Sequence, residues 1–294
     1  MLELTNITHR YPGAETPALQ GIDLQLQAGQ CLGLLGSNGA GKTTLLSLLA
    51  GVLPLQQGEI RWDGERSLGL VPQQLAFYAE LKVRENLELF ADLYRLRGAE
   101  RARRLELCIA STSLESKLQR RAGRLSGGEQ RRLNFAIGLL QPARLYLFDE
   151  ATVGVDASSR QRLLGAVEQL TAEGHAVIYT SHYLDEVERV AQRILLLHQG
   201  HVRLDLDSRQ LLGDDHGLLL EWQSEEPAGL RELLGKLHLN AEALPGGLRI
   251  ASLDGPQLLE ITRFLAERPE LPHLLRFGRP SLEQLYLRLN GGRL

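Results

Sequence analysis

Two stretches of the chain carry residue types spaced for phosphate chemistry. The first reads GSNGAGKTT over residues 36–44 and fits G-x-x-x-x-G-K-[ST], with Gly36, Gly41, Lys42 and Thr43 in the required places. Its glycines let successive backbone N–H groups turn inward around phosphate oxygens. The helix predicted to follow adds unpaired donors and a favourable dipole at its N-terminus. The candidate phosphate-binding residues are therefore Gly36, Ser37, Asn38, Gly39, Ala40, Gly41, Lys42, Thr43 and Thr44. Lys42 brings its charge to the β- and γ-phosphates, and the Thr43 hydroxyl is placed to ligate Mg²⁺. The second stretch, LYLFDE over 145–150, is an apolar strand ending in two acids. Carboxylates seldom end a buried strand without a partner. Asp149 is the candidate to hold Mg²⁺ through water, and Glu150 the candidate to polarise an attacking water. An incidental glycine-rich turn and a pair of solvated turn acids are the plain alternatives. The strand-to-helix context of the first stretch and the buried setting of the second disfavour them.

A third stretch, RLSGGEQRRLNFAIGLL over 124–140, has apolar residues at helical spacing, yet begins with two glycines. Ser126 and Glu129 match the capping box S-x-x-E and explain the start of the helix. Gly127 and Gly128 remain a cost of up to about 1 kcal/mol each against alanine in a helix interior.

These stretches need elements to position them. Residues 2–9 and 22–27 alternate apolar and polar, as half-buried strands do, and GEIRWDG and SLGLV read as two further strands. CLGLL (31–35), LYLF (145–148) and AVIYT (176–180) read as buried strands, with helices over 43–51, 126–140, 157–172 and through YLDEVERVA. Residues 83–120 read as helical, and RILLLHQGHVRLD as a strand pair turning at Gln199-Gly200. Apolar strands alternating with helices imply a parallel sheet covered on both faces. The polar, acidic stretch DLDSRQLLGDDHG (205–216) reads as a boundary. Beyond it, GLLLEW, GLRIAS and LLRFG read as strands, each followed by a helical segment, the last being PSLEQLYLRLN. The basic run RLRGAERARR (95–104) reads as a solvated helix face.

With these motifs in this order, the chain resembles the nucleotide-binding subunit of ATP-binding-cassette (ABC) transporters over about residues 1–206. The residues that carry the resemblance are the phosphate loop 36–43, Gln73 in LVPQQ, LSGGEQ at 125–130, LYLFDE, Asp156 in ATVGVD and His182 in YTSHYLDE. LSGGEQ beside a phosphate loop is the most diagnostic of them. The resemblance implies an α/β P-loop ATPase domain over 1–208, with a mixed sheet and a helical subdomain at about 74–140, and a small α+β accessory domain over 214–294. It implies ATP and Mg²⁺ as cofactors and a head-to-tail dimer. Each ATP then lies between the phosphate loop of one subunit and Ser126, Gly127, Gly128 and Glu129 of the other. It further implies that Tyr11 stacks on adenine and that Gln73 senses Mg²⁺ and the attacking water. Glu150 is then the general base, His182 contacts the γ-phosphate, and Asp156 runs along the dimer interface. The glycines of LSGGEQ make sense on this basis, since a side chain there would block the γ-phosphate. The chain departs from the family pattern at Ala151 and Ser37, where proline is common, and at Val155, where leucine is usual. VPQQLAFYAELKVRENLELFADLYRLRG and PSLEQLYLRLNGG are similar to ATPases of drug, lipid or polysaccharide exporters. Their membrane domain is a separate permease, which Phe77, Tyr78 and Leu81 are candidates to meet.

The totals agree with such a protein. At 294 residues and 43% hydrophobic, the chain can bury a large domain and a small one. A net charge of −3 gives no nucleic-acid footprint, so no nucleic-acid partner is expected. Cys31 and Cys108 are isolated, as in a reducing compartment. No apolar run approaches a membrane span and the N-terminus lacks a signal-peptide profile, so the expected location is cytoplasmic, peripheral to the membrane through the permease. Two other functions stay open: a soluble ABC ATPase acting on ribosomes or DNA, and an ATP-binding regulator with little turnover.

Overall fold

The computed structural model describes residues 1–208, 216–223, 226–244, 246–278 and 282. Contacts divide the chain after Ser208 into two compact units, Met1–Ser208 and Arg209–Leu294.

The first unit is built on a six-stranded sheet. Its strands are β3 (Cys31–Leu35), β5 (Leu68–Val71), β6 (Leu145–Asp149), β7 (Ala176–Thr180), β8 (Arg193–His198) and β9 (His201–Asp207), in the order β5-β6-β7-β3-β8-β9. All pairings are parallel except β8–β9, a hairpin. Every residue of β3, β6 and β7 is buried, which is why these strands read as unbroken apolar runs rather than as alternation. The three are neighbours, so their carboxyl ends deliver the loops after Leu35, Asp149 and Thr180 to one edge, where open α/β sheets bind ligands.

The two faces of this sheet are covered differently. Leu32, Leu34, Leu145, Leu147, Ile178 and Leu195 pack with helix α1 (Lys42–Ala50) and a separate antiparallel sheet. That sheet is β2-β1-β4, from β1 (Leu2–His9), β2 (Leu19–Leu26) and β4 (Gln57–Trp62). The opposite face meets α4 (Gly127–Leu140), α5 (Ala157–Ala172) and α6 (Leu184–Val190). Phe135 of α4 stacks on Phe148 with centroids 5.0 Å apart. The sheet is thus mixed and covered on both faces, as the sequence implies, but one of the two covers is largely a second sheet. The alternating strands β1 and β2 belong to that second layer, with β4 as their more exposed neighbour.

The helical region also differs in detail. Residues 83–120 are not continuously helical: α2 spans Val83–Leu93, α3 spans Gly98–Thr112, and a 3₁₀ turn covers Glu115–Lys117. The breaks fall where Arg95 (φ 58°) and Ser113 (φ 51°) take left-handed conformations that helix interiors exclude. Helix α4 packs closely on β5 because position 138 has no side chain. A Cβ there would lie 2.3 Å from Val71 Cγ2 and 2.9 Å from the Leu70 carbonyl oxygen.

The second unit has its own antiparallel sheet, β11-β12-β10-β13, made of β10 (Gly217–Glu221), β11 (Ala241–Leu244), β12 (Gly247–Ile250) and β13 (Leu274–Gly278). Helices α7 (Leu230–Lys236) and α8 (Gly255–Ala266) belong to the same unit. Leu218, Leu220, Trp222, Leu230, Leu234 and Ile261 lie in its core. The sequence reading missed β11, whose four residues are at most half-buried and carry no alternation. The helix expected over PSLEQLYLRLN lies outside the described residues apart from Leu282, as does most of the expected boundary segment.

Gly138→Val should lower the unfolding free energy of the protein by about 1–3 kcal/mol through overpacking of α4 against β5, seen as a lower urea midpoint with an unchanged slope. An unaltered midpoint would show that α4 can lift off β5 without penalty.

Candidate nucleotide site

The loop between β3 and α1 has the shape of an anion cradle. Gly36 (φ 154°) and Gly41 (φ 108°) take conformations unfavourable to other residues, and each would drive a Cβ to 2.5 Å from a backbone oxygen, of Leu197 and Ala18 respectively. The first turn of α1 carries no acidic residue and its cap, Gly41, makes no side-chain hydrogen bond to it. Its N–H groups therefore lack an intramolecular anion. Lys42, 8% exposed, donates from Nζ to the Gly36 carbonyl at 2.6 Å and the Ser37 carbonyl at 3.2 Å. Burial pulls its ammonium below the usual lysine range, against the charges of Glu150 and Asp149.

Tyr11, Asn38, Gly39, Ala40, Gly41, Lys42, Thr43, Thr44, Gln73, Glu150 and His182 all line one cleft, together with Ala18. Its volume, about 540 Å³, lies within the roughly 300–1,000 Å³ of small-molecule sites. Tyr11 stands at one end, partly exposed, with its hydroxyl 3.2 Å from Thr44 Oγ1 and its ring edge-on to buried His9. At the other end the Glu150 carboxylate is held by two side chains. Gln73 Nε2 donates to Oε2 at 2.7 Å, and His182 Nε2 lies 2.8 Å from Oε1. Each oxygen keeps a second lone pair. Glu150 takes φ 50°, unusual for a residue with a side chain, and its N–H is fixed by the Thr180 carbonyl and hydroxyl at 3.2 and 3.1 Å.

Asp149 sits behind the cleft, 5% exposed, and accepts a hydrogen bond from Thr180 Oγ1 at 3.0 Å. Burial pushes its carboxyl above the usual range, helped by the Glu150 charge. Hydrogen bonds from Thr180 and Thr43 and the charge of Lys42 pull the other way. A carboxylate strained in this way next to a hydroxyl fits a hard cation such as Mg²⁺, which takes few protein oxygens and completes its shell with water and phosphate.

The remaining sequence-derived site residues do not line this cleft. Gly36, Ser37 and Asp149 adjoin it, whereas Ser126, Gly127, Gly128, Glu129 and Asp156 do not line it. Ser126 caps α4 in a reciprocal box, accepting from the Glu129 N–H at 3.3 Å while its own N–H donates to Glu129 at 2.9 Å. Lys117, 2.8 Å from Glu129, and the Ser126 N–H hold that carboxyl below its usual range. A Cβ on Gly128 would come 3.1 Å from the Gly154 carbonyl, but one on Gly127 would meet nothing within 4 Å. No packing in the described residues therefore accounts for Gly127. Asp156 caps α5, accepting from the Ser159 N–H at 3.0 Å, which together with the Ser158 and Ser159 hydroxyls pulls its carboxyl far below the usual range.

Three residues that the sequence reading missed hold these groups in place. Thr180 serves Asp149 and Glu150 together. Asn134, buried in the middle of α4, accepts from the Ala76 N–H at 2.8 Å and donates to the Pro72 carbonyl at 3.0 Å. Arg131 donates to the Gln73 carbonyl. The available signal was Asn134 itself, an amide interrupting an otherwise apolar run.

A model of the ABC transporter family matches residues 19–153. The linearmycin resistance ATP-binding protein LnrL of Bacillus subtilis is 33% identical to the chain, over 99% of it and 98% of that protein. Nod factor export ATP-binding protein I of Burkholderia thailandensis is 31% identical, over 93% and 92%. Among solved structures, the dimeric post-hydrolysis state of the ATP-binding cassette MJ0796 bound to ADP and Pi is similar, with a TM-score of 0.65 and 25% identity over 71% of this chain and 99% of that one. The chain belongs to the ABC transporter family, among its ATP-binding subunits. It is an ATPase of that class.

Because burial raises the Asp149 carboxyl, its ionised form disfavours the nucleotide-free fold. This group's contribution to stability is present below the ordinary aspartate value and is lost as pH rises through the raised folded value. Asp149→Asn should therefore gain stability relative to the parent as pH rises from the acid range to neutrality, measured by urea unfolding without nucleotide. A difference that is constant with pH would remove the burial argument.

Proposed function

We propose that the chain is the energy-coupling subunit of an exporter. In this reading it hydrolyses ATP in a head-to-tail dimer and drives substrate through a separate membrane-spanning permease. The observation that carries the reading is the end-to-end similarity to proteins named for antibiotic resistance and for export, which extends through the C-terminal unit. The domain limits 1–208 and 214–294, with an accessory role for the second, belong to the same proposal.

The geometry of the cleft supports a role for each residue. The Gly36–Thr44 loop and the free N–H groups of α1 take the phosphates, and Lys42 exchanges its two carbonyl partners for β- and γ-oxygens. Tyr11 offers its exposed ring to the base. Thr43 and Asp149 would hold Mg²⁺, which would supply neutralisation of the charge that develops on the phosphates. Glu150 accepts the proton of a water attacking the γ-phosphorus, and ADP leaves as phosphate forms. Gln73 and His182 hold the carboxylate from either side, each able to turn to the water or the γ-phosphate. Ser126, Gly127, Gly128 and Glu129 act on the nucleotide of the other subunit, where open space at Gly127 admits a phosphate, and Asp156 lies along the interface.

Permease contact is proposed at the surface after Gln73. Tyr78 is 55% exposed there and Leu75 42%, while Phe77 and Leu81 are half-buried. Among the described residues no helix is long and apolar enough to cross a membrane, which fits attachment at the cytoplasmic face through a partner.

Ser126→Arg should leave ATP affinity of the isolated subunit within about twofold while removing hydrolysis that depends on dimer formation, measured by nucleotide titration and steady-state phosphate release. Hydrolysis at the parental rate would reduce LSGGEQ to a helix cap. Affinity purification of the tagged chain from detergent-solubilised membranes should recover a multi-span membrane protein, and its loss should accompany Tyr78→Glu. Recovery of ribosomal or DNA-bound material instead would overturn the exporter reading.

A further inference from the structure

Glu186, on α6, is fully buried and lies outside the cleft. Its Oε2 accepts from three hydroxyls: Ser181 Oγ at 2.6 Å, Thr152 Oγ1 at 2.7 Å and Tyr179 at 2.9 Å. Its Oε1 faces the Arg160 guanidinium of α5, with Nε at 3.3 Å, and neither of these two atoms has another partner among the described residues. A buried carboxylate is costly to desolvate, and packing alone would be served as well by an apolar side chain of the same size. The identity of its partners points to another role.

Each partner belongs to a segment that carries a candidate site residue. Thr152 lies two residues after Glu150, in the loop that runs to Asp156. Ser181 immediately precedes His182, and its Oγ also accepts the Tyr183 N–H at 3.0 Å. Tyr183, immediately after His182, lies under Arg160, whose Cζ is 4.3 Å from the ring centroid. Arg160 also reaches the Val155 carbonyl at 3.5 Å, next to Asp156. His182 is thus gripped on both sides by the same network that grips both ends of the 152–155 loop. Tyr179 remains a donor, since burial and the Glu186 charge push its phenol well above the usual range.

We infer that Glu186 is a positioning residue for hydrolysis: by tying the loop after Glu150 to the segment carrying His182, it sets the 2.8 Å contact between His182 and Glu150. It lies outside the cleft and acts only through the residues it ties together. The inference rests on the reading of Glu150 and His182 as the groups that handle the attacking water. A misplacement of about 1 Å in such a pair can cost on the order of 10²-fold in rate without weakening substrate binding.

The test compares Glu186→Gln and Thr152→Val with the parent and with Glu150→Gln, all as the full chain. Glu186→Gln keeps the shape and removes the charge. Thr152→Val removes one donor and keeps the carboxylate with its other partners, so it remains informative if Glu186→Gln does not fold. Expected are a fall in kcat of about 10- to 100-fold for Glu186→Gln and a smaller fall for Thr152→Val, with KM and nucleotide affinity within twofold. The double variant should be no slower than Glu186→Gln alone, because both changes cut one tie. Unchanged kcat in both folded variants, or kcat and nucleotide affinity falling together, overturns the inference. Glu150→Gln separates this from failure of the underlying reading: it should lose about 10²–10⁴-fold in kcat, and if it does not, the base assignment itself is wrong.

Discussion

The carboxylate of Glu150, held between Gln73 and His182, is the contact on which the rest of the site depends. The three residues come from three separate loops, and only the parallel neighbours β6 and β7 and the adjacent β5 bring those loops to one edge. The sheet is therefore more than a scaffold. Complete burial of β3, β6 and β7 fixes their register, and with Asp149 opposite Thr180 that register aligns both acids with the hydroxyl that serves them.

The cleft is charged and under-satisfied. Lys42 is buried and borrows backbone carbonyls as partners, Asp149 is buried with its carboxyl raised, and the N-terminus of α1 has no side chain to cap it. Each of these costs something in the protein alone, and a ligand of matching charge would relieve it. The same logic separates the two glycine-rich stretches. In the phosphate loop, Gly36 and Gly41 are demanded by the chain's own backbone. At the start of α4, Gly127 is demanded by nothing in the described residues.

Much of this was legible in the sequence for physical reasons that can be named. Buried strands announced themselves as short unbroken apolar runs, and the phosphate loop by glycine and lysine spacing between a strand and a helix. The second layer under the central sheet was not legible, because alternation in β1, β2 and β4 reports half-burial but not the partner. The breaks at Arg95 and Ser113 were hidden because left-handed residues without glycine leave no signal. Of the site, most residues that line the cleft were named by motif and resemblance. Those that hold them, Thr180, Asn134, Arg131 and Glu186, could not, since each acts across a long stretch of chain. Only an amide in an apolar run or an acid on a buried helix face hinted at them.

Helix α4 holds the Gln73 stretch at three points: the Pro72 carbonyl and Ala76 N–H through Asn134, and the Gln73 carbonyl through Arg131. The helix and that stretch are thus geared together, with the capped end of α4 as the input shaft and the Gln73 amide as the output. A movement of the helix that leaves these three hydrogen bonds intact carries the backbone of the Gln73 stretch with it. The placing of a cleft side chain is in this way tied to a helix whose first residues stand outside the cleft altogether.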